Sequence, residues 1–227
     1  STRLGLQGIP SLAEKIIVER DLSFLEEYVC RYHISQVSSK KTISIIKKAK
    51  NDGKIFTAGV SINNLSLNEN DIGDFKTFLK LSPPLRTESD RLSLVEAIND
   101  GVIEVIVSDH KPEDEESKRL TFSQAATGAS GIETLLSLSL ELYHNGSVKL
   151  ETIIRALTSN PAKILRINKG NLTIGNEADF CIVDLDKPWI VKKESLISKS
   201  KNTSIEDKKL QGKVTNTFVK GKELFTI

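Results

Sequence analysis

The chain has no methionine, two cysteines and three histidines among 227 residues. Because methionine is missing, Ser1 cannot be a genetic start, and we expect a processed, cloned or partly observed piece of a longer protein. Cys30 and Cys181 lie far apart and form neither a CxxC pair nor a metal-ligand spacing. The cysteine pattern therefore favours a reduced chain in the cytoplasm.

Aromatic residues, charge of one sign and long apolar runs are also scarce. Aromatics make up 5% of the chain, and 32 basic residues nearly balance 30 acidic ones. This composition excludes a basic nucleic-acid patch with stacking aromatics. No apolar run has the length of a membrane span, and the first thirty residues lack a signal-peptide pattern. We expect small molecules or other proteins as partners, with no nucleic acid and no membrane.

What the chain does contain is an alternation of short apolar runs and helical periodicity. This pattern predicts a parallel α/β sheet with right-handed crossovers. Three strand–helix units are predicted, fewer than half of the eight that close a barrel. The predicted strands are 32–38, 54–61 and 102–108. The predicted helices are one from Ser11 to about Val29, then 40–52, 88–99, 131–144 and 150–158.

Two connecting features are predicted in this first part of the chain. Ser11 and Glu14 have the spacing of a capping box, which predicts the start of the first helix. Residues 63–89 read as a long polar loop, and loops of that length are usually functional or disordered.

The pattern of apolar residues changes after Asn160-Pro161. Short apolar stretches separated by turns predict antiparallel strands of a small β domain from residue 170 onward. We place the domain boundary so that residues 1–168 form the α/β part and 169–227 the β part. Between the β strands, the Ser/Lys/Asn-rich segment 195–209 is predicted to be a polar, mobile loop.

The most informative motif is the run from Val105 to Pro112. It is an apolar strand that ends abruptly in Asp109 and His110. A buried parallel strand reads as a continuous apolar run, and α/β enzymes carry their chemistry at its carboxyl end. Asp109 is therefore a candidate catalytic residue, and the alternative is an aspartate that caps the following turn.

Several motifs in collinear order over the whole chain resemble the C-terminal half of a type I bacterial dihydroorotase, a cyclic amidohydrolase. Any one of these motifs is weak, but together they are specific. The matching segments are Gly8-Ile9-Pro10, His33–Ser39, Lys80–Arg86, Ser108–Glu113, Glu115–Lys118, Gly128–Glu133, Asn160–Ala162 and Gly175–Asp179.

The resemblance implies the fold, the chemistry and the cofactor. The implied fold is α/β: the C-terminal part of a TIM-type (β/α)8 barrel plus strands of a small composite β domain. The implied activity interconverts carbamoyl aspartate and dihydroorotate in pyrimidine biosynthesis, with zinc as the cofactor. A zinc-bound hydroxide attacks the ring amide, and the aspartate at the position of Asp109 binds the metal and moves the proton.

This sequence departs from the family pattern at positions on which the metal-dependent chemistry depends. Gln36 stands where a metal-binding histidine is expected, and a neutral amide is a poor zinc ligand. Asn63 and Asn64 stand in place of a His-His pair. Only Asp109 keeps the family residue among the polar catalytic positions. The substrate-binding positions implied by the resemblance are Ser82, Glu113, Ala126 and Gly128, of which Ser82 replaces an asparagine and Glu113 a histidine.

Three functions follow, and the sequence leaves all of them open. The first is a dihydroorotase-like protein with degraded or lost catalysis and a structural or regulatory role. The second is a working zinc amidohydrolase whose site is completed by an N-terminal half. The third is a binding module that uses the old pocket for a small ligand. Because a partial barrel exposes strand edges, we expect as partners an N-terminal half, a further copy of the chain or aspartate transcarbamoylase.

Overall fold

The computed structural model describes residues 2–227. Helices and strands alternate through the first part of the chain, and three strands occupy the last part. The elements in chain order are α1 Ser11–Glu27, β1 His33–Ile34, α2 Lys40–Asn51, β2 Thr57–Ser61, α3 Ile62–Ser66, α4 Glu88–Asn99, β3 Val105–Val107, α5 Glu115–Arg119, α6 Leu135–His144, α7 Leu150–Leu157, α8 Ser159–Leu165, β4 Phe180–Ile190, β5 Lys209–Val219 and β6 Lys222–Thr226.

The first sheet is parallel, with strand order β1-β2-β3. His33 pairs with Thr57, and Gly59 pairs with Val105, so all three strands end at the same edge of the sheet. Helices pack their apolar faces on this sheet and enclose the core, which includes the fully buried Ile46, Leu94, Ile98, Leu138 and Ile153. The predicted strand–helix units and the predicted fold class are confirmed, although each strand is shorter than predicted.

The capping-box prediction for Ser11 and Glu14 is wrong. Helix α1 has Pro10 at its N-cap and no side-chain cap. The Glu14 carboxylate instead accepts hydrogen bonds from the backbone N–H groups of Ser38 and Ser39, both at 3.1 Å. Ser39 is the N-cap of α2, so Glu14 neutralises the positive end of a neighbouring helix rather than its own.

The prediction of one long loop over residues 63–89 is also wrong. It contains most of α3 and two 3₁₀ turns, Glu69–Ile72 and Thr77–Leu79. Asn68 and Asp71 form a capping box on the first of these turns. Such short turns complete too few helical repeats to leave an apolar periodicity, so the sequence pattern could not reveal them.

The second sheet is antiparallel, with strand order β4-β5-β6. Phe180 faces Phe218 across β4 and β5, and their rings stack with centroids 4.6 Å apart. Strands β4 and β5 are each 11 residues long and merge runs that the sequence separated. The antiparallel prediction is confirmed, and α6 joins this sheet to the first through a 2.6 Å hydrogen bond from Ser137 Oγ to the Gly212 carbonyl.

Residues 196–205, here called the strap, connect β4 to β5 and lie within the segment predicted to be a mobile polar loop. Its mobility stays a prediction, but part of it is packed against the protein, because Asn202 and Thr203 are 4% and 1% exposed. The Ser130 N–H donates to the Asn202 carbonyl at 3.0 Å. The Glu133 carboxylate accepts from the Ile197 N–H at 2.8 Å. Backbone groups of the strap thus form hydrogen bonds with the loop between β3 and α6.

Candidate active site

Polar side chains meet where the strands of the parallel sheet end. Gln36 follows β1, Ser61 ends β2, Asn63 lies in α3, and Asp109 follows β3. We call these four residues the Asp109 cluster. Gln36 Nε2 donates to Asp109 Oδ1 at 2.8 Å, and Ser61 Oγ donates to Asp109 Oδ2 at 3.3 Å. Parallel strands bring their carboxyl ends to one edge, which is why residues so far apart in sequence share one site.

The Asp109 carboxylate sits in a desolvated but hydrogen-bonded environment. Burial raises its pKa above the ordinary value and outweighs the lowering contributed by Gln36, Ser61, Asn63 and Lys111. The backbone of Asp109 has φ +50°, in the left-handed region that non-glycine residues rarely adopt, with Asp and Asn among the exceptions. Asp109 is thus held in place both by its backbone and by neutral donors.

Two substitutions of Asp109 distinguish the effect of its charge from the effects of its hydrogen bonds and backbone conformation. Asp109→Asn keeps an acceptor for Gln36, tolerates the left-handed backbone and removes a desolvated charge, so we expect a change in unfolding free energy within about 1 kcal/mol. Asp109→Ala leaves the Gln36 N–H without an acceptor and strains the backbone, so we expect the unfolding free energy to fall by about 2–3 kcal/mol. Urea unfolding of both variants measures the difference, and equal losses in the two would contradict this account.

Two buried asparagines lie beside the cluster with unused hydrogen-bonding groups. Asn63 and Asn64 are 2% and 3% exposed, yet Asn63 Nδ2 and Asn64 Oδ1 have no hydrogen-bond partner. Ser204 Oγ, from the strap, donates to Asn63 Oδ1 at 2.8 Å. Sequence reasoning missed both Ser61 and Ser204. Ser61 could have been found as the last residue of a predicted strand, but nothing in the sequence points to Ser204.

The four predicted substrate-binding residues differ in their surroundings, and three of them contact lysines. Ser82 is exposed and precedes the cis peptide bond to Pro83. The Glu113 carboxylate lies 3.9 Å from Lys111 Nζ. The Ala126 carbonyl accepts from Lys118, and the Gly128 N–H donates to the Lys80 carbonyl at 2.9 Å. Substrate contact by these four residues stays a prediction.

Two lysines hold the loop that carries Ala126. Lys118 is 2% exposed, and its Nζ donates to the carbonyls of Thr77 at 3.0 Å and Ala126 at 2.7 Å. Lys80 Nζ donates to the carbonyls of Ser123 and Ala125 at 2.8 Å and 2.7 Å. Burial lowers the pKa of Lys118 to about 8. From the sequence, Lys118 was recognised only as part of a family motif, and its burial was not predicted.

Glycines allow the loops after β3 to approach each other closely. A Cβ at Gly131 would lie 2.5 Å from the Ser108 carbonyl oxygen, and one at Gly128 would lie 2.6 Å from that of Lys111. Gly128 also has φ +141°. The two glycines therefore permit tight packing of backbone against backbone.

Each of the three histidines has its own partner away from Asp109. His33 Nδ1 lies 2.7 Å from Thr57 Oγ1, and burial lowers the His33 pKa. His110 Nδ1 accepts from the backbone N–H of Gly131 at 3.2 Å. His144 Nε2 lies 3.1 Å from the Leu185 carbonyl. The imidazoles therefore support the fold locally.

The residues present do not fit a zinc ion. Zinc requires three or four imidazole, thiolate or carboxylate ligands at tetrahedral angles. Within residues 2–227 no three such side chains come together. Beside Asp109 stand amide groups, and Gln36 turns an N–H donor rather than a lone pair toward the carboxylate.

The parallel sheet with its flanking helices and the small antiparallel sheet have the architecture of part of a (β/α) barrel joined to a β domain. The chain belongs to the amidohydrolase family, whose pattern matches residues 7–224. It is 43% identical over 227 residues to the dihydroorotase of Ehrlichia canis (strain Jake), covering 100% of this chain and 51% of that protein. The predicted resemblance to dihydroorotases is confirmed.

Further relatives of the chain are also dihydroorotases or hydantoinases by name. The dihydroorotase of Anaplasma phagocytophilum (strain HZ) is 41% identical over 226 residues, which are 99% of this chain and 51% of that protein. Among solved structures, L-hydantoinase (dihydropyrimidinase) from Arthrobacter aurescens superposes with a TM-score of 0.91 at 26% identity, over 96% of this chain and 49% of that one. The chain spans about half the length of the curated relatives it matches. Among the described residues, no helix has both the length and the apolar character to cross a membrane.

Proposed function

We propose that this chain is the C-terminal half of a dihydroorotase-like protein in which zinc-dependent turnover is lost and the role is structural or regulatory. One observation carries the proposal: the Gln36 amide donates to Asp109 at the place where the family chemistry needs a metal ligand. The retained scaffold and the altered polar residues together are typical of a protein that has kept its fold and lost its reaction.

The electrostatics of the pocket support the same proposal. Hydrolysis of a ring amide at neutral pH needs an activated hydroxide, which a zinc ion generates by lowering the pKa of bound water. Gln36 and Asn63 carry no charge and cannot supply that activation. Glu113 adds a negative charge where an anionic substrate such as dihydroorotate would bring its own carboxylate, and like charges repel.

Partners follow from the surfaces that this half leaves open. Val29, Ile55 and Ile174 are almost fully exposed, and exposed apolar side chains are sites that another segment can cover. We propose that an N-terminal half of the same protein covers them, with self-association or aspartate transcarbamoylase as further partners in pyrimidine biosynthesis. Cys30 and Cys181 are unpaired and exposed, which suits the reducing cytoplasm.

A dihydroorotate hydrolysis assay tests the proposal. The full-length protein is assayed with and without added zinc, beside the dihydroorotase of Ehrlichia canis as the positive control. We expect no turnover above background from the protein in either condition. Turnover within about tenfold of the control would overturn the proposal.

The retained Asp109 favours a second candidate, an active zinc amidohydrolase. The carboxylate still lies at the carboxyl end of β3, and an N-terminal half could bring further ligands to it. This candidate predicts zinc-dependent turnover in the same assay that is abolished by Asp109→Asn. The third function, a metal-free binding module, predicts no turnover but saturable binding of a small ligand at the pocket.

A further inference from the structure

A cavity of about 1090 Å³, here called the junction cavity, lies between the two parts of the chain. Residues of α3, α4 and α6 line it from the α/β part, and residues of β4 and β5 line it from the β part. None of the four residues of the Asp109 cluster lines it. Small-molecule sites occur preferentially at domain interfaces, in clefts of several hundred to about 1,000 Å³. The junction cavity is therefore a candidate for a second site, separate from the end of β3.

Trp189 gives the junction cavity an aromatic wall. It is half-buried, and its Nε1 donates to Ser137 Oγ at 3.1 Å, which fixes the orientation of the ring. Leu65, Leu142 and Leu210 also line the cavity, and all three are buried. An indole ring that is held in place beside aliphatic side chains suits a flat ring, because such a ligand can stack on it and bury its faces.

The charged side chains around the junction cavity compensate one another. Three carboxylates and three basic side chains line it: Asp71, Glu88, Glu141, Arg91, Lys208 and Lys209. Arg91 pairs with Glu88 at 2.6 Å, and Lys208 pairs with Glu141 at 2.8 Å. A ligand with a net charge would have to compete with these ion pairs, whereas an uncharged ligand leaves them intact. The electrostatics of the cavity therefore favour a neutral ligand.

Gln211 adds a carboxamide to the same cavity. It is exposed on β5 and lies opposite Pro188 of β4. A carboxamide presents an acceptor and a donor in one plane, so it can form two hydrogen bonds with a ring that has an N–H beside a C=O. We propose that the junction cavity binds an uncharged planar heterocycle with such an amide edge, which stacks on Trp189 and is hydrogen-bonded by Gln211. This site does not depend on whether the Asp109 cluster holds zinc.

The test is an NMR titration of ¹⁵N-labelled full-length protein with 1-methyluracil, a neutral ring whose single N–H lies between two carbonyl groups. We expect saturable shifts of the Trp189 indole N–H signal, assigned with Trp189→Phe, and a Kd of about 1 mM or tighter. The matched ligand 1,3-dimethyluracil lacks the N–H. It should bind about 5-fold more weakly or worse, which is the effect of one lost hydrogen bond.

Three variants test the named contacts, with binding measured from the backbone amide signal of Leu210. Trp189→Leu should weaken the binding of 1-methyluracil about 10-fold or more, because the stacking surface is lost. Gln211→Leu should make the two uracils bind alike, because the carboxamide is lost. Phe218→Leu is the matched control and should leave binding unchanged, since Phe218 is an aromatic residue of the same strand that does not line the cavity.

Each outcome decides for or against the site. Absence of saturable shifts would overturn the proposal, and it is the result expected if another segment of the protein fills the cavity. Equal Kd values for the two uracils in the wild type would remove the role of Gln211, and this comparison holds even if Trp189→Leu does not fold. Tighter binding of 5-carboxy-1-methyluracil would contradict the preference for an uncharged ring. Bound zinc would overturn the proposed function and leave these comparisons unaffected.

Discussion

The double substitution Gln36→His and Asn63→His is expected to raise zinc affinity by about 100-fold or more, which corresponds to about 2.7 kcal/mol of binding free energy. Gln36 follows β1 and donates to Asp109, and Asn63 lies in α3 directly after β2. The two imidazoles and one carboxylate would give the three protein ligands of a catalytic zinc site, where two amides now stand. Isothermal titration with zinc chloride measures the gain against the wild-type protein.

Two controls make the zinc result specific. The amide exchange Gln36→Asn with Asn63→Gln disturbs the packing at the same positions without adding a ligand, and it should bring no gain. Adding Asp109→Asn to the double histidine variant should remove most of the gain, because the third ligand is lost. If the histidine variant binds zinc no better than the wild type, these residues do not occupy the former metal positions.

The substitution Lys118→Met is expected to have an effect on stability that depends on pH. Burial lowers the pKa of Lys118 to about 8, below the ordinary value of 10.5. Between those two pH values the unfolded chain binds more protons than the folded one, so Lys118 makes the wild type gain stability as pH rises. The unfolding free energy of the wild type, measured relative to that of Lys118→Met, should therefore rise by up to about 3 kcal/mol from pH 7 to pH 10.5.

Urea unfolding at several pH values measures this difference. A matched control is Thr77→Val, which removes the 2.6 Å hydrogen bond from Thr77 Oγ1 to the Lys118 carbonyl without removing a titrating group. Its effect should be the same at each pH. A difference for Lys118→Met that stays constant with pH would mean that the ammonium is not desolvated in solution.

The sequence was sufficient to predict the features that depend on local pattern. The apolar run before Asp109 predicted both the strand and the location of a polar residue at its end, because a buried strand and its abrupt end are local properties. Gln36 was singled out by its motif, and in the folded chain its amide donates to Asp109.

The features that the sequence did not predict depend on distant contacts. Ser204 and Lys118 read as ordinary polar residues, and only the folded chain shows that one reaches Asn63 and that the other is buried against two carbonyls. The burial of Asn202 and Thr203 in the strap was missed for the same reason, since a polar composition does not reveal hydrogen-bonding partners that are distant in sequence. Glu14 likewise accepts hydrogen bonds at the start of α2 and does not cap the start of its own helix.

The central claim is that the Asp109 cluster does not hold zinc, and the metal content of the full-length protein tests it most directly. Elemental analysis is performed on protein purified without chelator, with the dihydroorotase of Ehrlichia canis prepared in parallel. The account predicts zinc far below stoichiometric in the protein. Zinc near one ion per chain that is lost in Asp109→Asn would contradict it, and would mean that other ligands compensate for Gln36 and Asn63.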